Sequence, residues 1–89
     1  MISHKITINN FRGIHLRSAG KLCKEAMKYK SKITILYKEG TAAADAKSVL
    51  GVLGAGIRRG DEIEIICEGE DEDKAMKNLI LEIESGLEE

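Results

Sequence analysis

The chain has no proline and no tryptophan, and its aromatic residues are two tyrosines and one phenylalanine. So few aromatics exclude a stacking platform for nucleic acid. The two cysteines, Cys23 and Cys67, are not spaced as a CxxC pair, and each sits in an apolar pattern position. Buried free thiols in a cytoplasmic protein are expected. With two histidines, His4 and His15, and no paired cysteines, no metal site and no cofactor is expected. The opening MISHKITINN lacks the apolar core of a signal peptide, and no stretch is apolar enough to cross a membrane, so no membrane partner is expected. An excess of one charge sign is missing as well. Fourteen basic and 15 acidic side chains leave a net charge of −1, which gives no general case for binding nucleic acid.

What is present fits one small folded domain spanning 1–89, with 43% apolar and 33% charged residues. A chain this short builds no large cleft, so function is expected on its surface. The charges are unevenly placed. From Arg12 to Lys32 there are seven Lys or Arg against one acid, Glu25, whereas acids dominate from Asp61 onward. That asymmetry suggests a partner whose acidic surface meets the first helix.

Hydrophobic periodicity orders the elements. Ile2, His4, Ile6 and Ile8 alternate with polar residues, which predicts a half-buried strand and gives His4 a structural place in its apolar phase. Helical spacing of Ala19, Leu22, Cys23, Ala26 and Met27 predicts a helix from about Leu16 to Tyr29. A second strand follows through Ile33, Ile35 and Tyr37, then a turn at Glu39-Gly40 and a weaker strand at Ala42–Ala46. Ser48 caps or opens a short helix ending near Leu53. A fourth strand runs from Glu62 to Glu68, and a last helix carries Ala75, Met76, Leu79, Ile80, Ile83 and Leu87, closing at Ser85-Gly86. The order βαββαβα, with one apolar face per strand, predicts an α+β antiparallel sheet covered by helices on one side.

The segment with chemical content is Gly13-Ile14-His15-Leu16-Arg17-Ser18-Ala19, at the junction of the first strand and first helix. A histidine there stands beside unpaired backbone N–H groups, which favour an anion such as a phosphoryl group. Arg17 can donate to phosphate oxygens, and Gly13 permits a tight turn. The loop Arg58-Arg59, in GAGIRRG, lacks phosphate-loop spacing and reads as a solvated loop able to steer an acidic partner.

These residues resemble the HPr family, the histidine-containing phosphocarriers of the bacterial phosphoenolpyruvate:sugar phosphotransferase system. The family's loop G-[LI]-H-A-R-P-A is similar to Gly13–Ala19, and its N-A-K-S-[IL]-[ML]-G-[VL]-[ML] is similar to Asp45–Leu53. Its later E-G-x-D-E and L-x-x-L-I-E-S-G patterns resemble Glu68–Glu72 and Leu79–Gly86. The resemblance covers the chain in order. It implies an open-faced sandwich, a four-stranded antiparallel sheet with three helices on one face. It also implies phosphorylation of His15 at Nδ1, with Arg17 and the loop at Leu16, Arg17 and Ser18 holding the phosphate. Ser48 matches a serine that a dedicated kinase modifies in many members. Val49, Leu50 and Leu53 match an apolar docking patch. The implied partners are enzyme I and sugar-specific acceptor domains, together with a serine kinase or phosphatase and a transcription regulator. The chain would then be a phosphorylated intermediate and not a stand-alone enzyme.

Three positions depart from the pattern: Ser18 replaces the proline, Leu16 a small residue and Asp45 an asparagine. Serine is expected to loosen the site slightly, and Leu16 to alter access or partner choice. These departures keep open an alternative, a regulatory protein-binding module of the same fold gated by Ser48. A small acylphosphatase-like enzyme is the third reading.

Overall fold

Period-two alternation is possible only where one strand face is buried, and the sheet shows which face that is. Ile33 and Ile35 of the second strand lie opposite Cys67 and Ile65 of the fourth, and all four are buried. The intervening Thr34 and Ile66 pair on the other side and are half-buried. A one-residue slip would invert both sets, so burial fixes the register.

The computed structural model describes residues 1–87. Its elements are β1 (Ile2–Thr7), α1 (Leu16–Ala26), β2 (Lys32–Tyr37), β3 (Ala42–Asp45), α2 (Val49–Gly54), β4 (Glu62–Glu68) and α3 (Glu72–Glu84). The four strands pair antiparallel in the order β1-β4-β2-β3. Ala19, Leu22 and Ala26 of α1, Val52 of α2, and Ala75, Met76, Leu79 and Ile83 of α3 join the inward strand residues in one core. The architecture is the expected α+β open-faced sandwich. No helix among the described residues is long and apolar enough to cross a membrane.

Three details differ from the expectation. First, α1 stops at Ala26, with Met27 as its C-cap. Beyond it the backbone tightens into i→i+3 bonds, Lys28 N–H to Glu25 O at 3.1 Å and Tyr29 N–H to Ala26 O at 3.3 Å. That turn swings Tyr29 inward, where its hydroxyl donates to Glu25 at 2.7 Å and accepts from Asn78 of α3 at 2.6 Å. Second, β3 ends at Asp45, one residue early, because Asp45 Oδ1 turns to accept the Lys47 N–H at 2.9 Å. Third, His4 is exposed. It has the predicted phase, facing Ile65 across the ladder. But β1 is an edge strand, and His4 lines an open depression beside the C-terminal end of α3.

The start of α3 is fastened to the α1–β2 turn. Asp71, its N-cap, makes no side-chain cap bond. Its carboxylate instead accepts from the Ser31 hydroxyl and from the Lys30 and Ser31 amides, the latter two at 2.9 and 3.0 Å. These donors favour the ionised form, the Ser31 hydroxyl most, and hold the Asp71 carboxyl down at about 2.

Candidate functional site

The loop before α1 is built on Gly13. Its φ is +64°, in the left-handed region that suits glycine. A Cβ there would stand 2.7 Å from Arg58 Cα and 2.8 Å from Ile57 O. The Ile14 N–H donates to that same Ile57 carbonyl at 2.9 Å, and Gly60 N–H donates to Ile8 O at 2.8 Å. The loop 57–60 therefore forms the seat on which the His15 loop rests. Within the turn, Asn10 Nδ2 donates to Gly13 O at 2.6 Å.

His15 is the N-cap of α1, with extended backbone (φ −117°, ψ −175°) and a half-buried side chain. Its Nδ1 accepts from the Arg17 N–H at 3.3 Å. A ring nitrogen that accepts presents a lone pair. Nδ1 faces the first-turn amides of α1. The other nitrogen, Nε2, is buried and has no hydrogen-bond partner among the described residues.

Ser18 completes a reciprocal cap. It is fully buried, and its hydroxyl accepts from the His15 N–H at 2.9 Å while lying 3.2 Å from the His15 carbonyl it can donate to. The replacement of proline by serine thus puts a hydrogen bond where the ring would have set φ, and the His15 backbone is tied rather than loosened.

Phe11, Arg12, His15 and Arg17 line a shallow, open depression. Arg17 is exposed, and no acid among the described residues pairs with its guanidinium. Leu16 projects outward, 66% exposed, and does not line the depression. Beside α1, Ser48 caps α2, its Oγ accepting from Gly51 N–H at 3.0 Å. Val49 and Leu53 are half-buried against the core, and Leu50 is 80% exposed. Lys47 ties this corner to α1's end by donating to Tyr29 O at 2.7 Å. Both cysteines are buried free thiols, and burial, with Glu72 and Asp71 nearby, pushes the Cys67 thiol up.

Two features escape a linear reading of the sequence. Phe11 and Arg12 line the depression although neither belongs to a motif. Arg59, from the loop read as solvated, lies over the Phe11 ring at 5.6 Å from its centroid. The only hint in the sequence is the glycine on each loop, Gly13 and Gly60, marking where the backbones could approach.

A one-sided sandwich with an accepting imidazole nitrogen at a helix N-terminus, beside an arginine with no acid partner among the described residues, fits the class of histidine phosphocarriers. The family model described as "PTS HPr component phosphorylation site" matches residues 2–85. The chain belongs to this family, the HPr phosphocarriers of the phosphotransferase system. It is similar to the phosphocarrier protein HPr of Lysinibacillus sphaericus, with 37% identity over 89% of this chain and 88% of the relative. It is 35% identical to a multiphosphoryl transfer protein of Haemophilus influenzae, over 91% of this chain but 16% of that longer protein. An HPr of Thermoanaerobacter tengcongensis superimposes with a TM-score of 0.93 at 32% identity, covering 100% of this chain and 98% of that one.

Proposed function

We propose that the chain, as one HPr-like domain over 1–89, accepts a phosphoryl group on His15 from a phosphoenolpyruvate-dependent enzyme I and passes it to a sugar-specific acceptor domain in the cytoplasm. The observation that carries this reading is the Nδ1 lone pair held at the N-terminus of α1 by the Arg17 amide. In the transfer, Nδ1 attacks phosphorus in line, the N–P bond forms, and the bond to the donor breaks with its electron pair leaving on the donor. Arg17 and the first-turn amides around Leu16, Arg17 and Ser18 neutralise the phosphoryl oxygens. Reversal of the step onto an acceptor makes the protein a carrier rather than a stand-alone enzyme.

Docking falls to α2, where exposed Leu50 with half-buried Val49 and Leu53 forms an apolar face near the site. Ser48, beside it, is the place for regulation by a serine kinase or phosphatase, with a transcription regulator as reader. A phosphate there would add about −1.5 to −2 charges to the docking face and repel an acidic partner.

The test is incubation with phosphoenolpyruvate and enzyme I, followed by intact mass. A gain of one phosphate, acid-labile and absent from His15→Ala, is the expected result. No gain with enzyme I of the source organism, beside a working control carrier, would overturn the reading.

A further inference from the structure

We infer that Phe11 and Arg59 select the protein that meets His15, by presenting a second guanidinium at the rim of the site to a carboxylate on the partner's face. This rests on the phosphocarrier reading and names what that reading leaves open, the chemistry of the partner's contact.

Phe11 is 73% exposed, an unusual place for the chain's one phenylalanine, and it lines the same depression as His15 and Arg17. The Arg59 guanidinium lies over that ring, 5.6 Å from its centroid. A guanidinium resting on a ring face has surrendered part of its rotamer freedom already, so less is lost when it engages a carboxylate. The pair is held from both sides. Phe11 stands in the turn closed by Asn10 and Gly13, and Arg59 stands in the loop whose backbone packs on Gly13 at closest approach. Among the described residues no acid forms an ion pair with Arg59, and the neighbouring Asp61 carboxylate accepts the Arg58 N–H at 2.8 Å within its own turn.

The occupant is a protein face rather than a small molecule. The depression has four lining residues and stays open to solvent, so it encloses nothing. An exposed ring and a stacked arginine are instead the residue types that dominate interface energetics, and an arginine fork matches a carboxylate in two parallel bonds. Arg17 serves the phosphoryl group, and Arg59 serves the partner that brings or takes it.

The experiment measures phosphoryl transfer from phosphoenolpyruvate-charged enzyme I to the full chain, over carrier concentration and at two ionic strengths. Arg59→Gln is expected to raise KM about tenfold, leave kcat within about twofold, and flatten the salt dependence of kcat/KM. Phe11→Leu is expected to raise KM by about threefold, and Phe11→Tyr, which keeps the ring, to behave as the native protein. Native KM and salt dependence in both Arg59→Gln and Phe11→Leu, with the native chain still accepting phosphate, would overturn this inference and leave the carrier reading standing. A fall in kcat without a rise in KM would place Arg59 in the phosphoryl step and also overturn it. Failure of the native chain to accept phosphate would remove both.

Discussion

At His15 the backbone and the ring are secured by different neighbours. The backbone N–H is held by the buried Ser18 hydroxyl, and the ring by the Arg17 amide. Ser18→Ala would leave the His15 N–H without its partner, and should cost about 1–2 kcal/mol in urea unfolding, within the range for a lost cap. Gly13→Ala is the harsher change. It puts a Cβ into the backbone of 57–58 at a positive φ, so about 2–3 kcal/mol is expected, together with slower phosphate acceptance as His15 shifts on its seat. The placing of His15 and Arg17 at the start of α1 was legible because it is local, lying within one helical turn, whereas the cap that Ser18 makes was not, since serine in place of proline was expected to loosen the loop. Phe11 and Arg59 were not, because their meeting depends on two loops distant in sequence packing backbone to backbone, which no spacing encodes.

Among the elements, α1 and α2 are too short to persist alone, at 11 and 6 residues, so tertiary contacts decide their ends. Periodicity found both helices, yet it overran α1, since Met27 and Tyr29 keep helical spacing while the backbone has already tightened. Within α2 two neighbouring apolar residues separate fold from contact. Val52 is fully buried, and Val52→Ala should destabilise by about 2 kcal/mol in urea. Leu50→Ala should change stability by less than about 0.5 kcal/mol while weakening partner binding measurably by titration calorimetry. The fastening of α3 gives a pH signature. The Asp71 carboxyl, normally at 3.8, is held at about 2, so its bonds to Ser31 and Lys30 stabilise the fold fully above the normal value. That contribution is lost as pH falls through the lowered one. Asp71→Asn should therefore melt at lower temperature than the native protein at pH 7, with the gap closing between pH 4 and pH 2. A gap of constant width in thermal melts would rule this linkage out.

At the scale of the molecule, the one-sided cover followed from alternation, because strands with one apolar face each take their helices on that face, whereas the strand order β1-β4-β2-β3 rests on pairings between segments distant in sequence, which alternation does not encode. His4 shows where that logic stops. Its phase was readable, but its exposure depends on β1 lying at the edge beyond the cover of α3. The depression at His15 is also a whole-molecule matter, since among the described residues it is lined by four side chains and stays open to solvent. On the proposed function, a phosphoramidate at His15 would sit in contact with bulk water. Such a site would pass the group on rather than store it. Each loaded molecule would run against a clock, and the ratio of groups delivered to groups leaked would equal the ratio of encounter rate to hydrolysis rate. Dilution of the acceptor alone would lower the yield of the relay with every residue of the site intact.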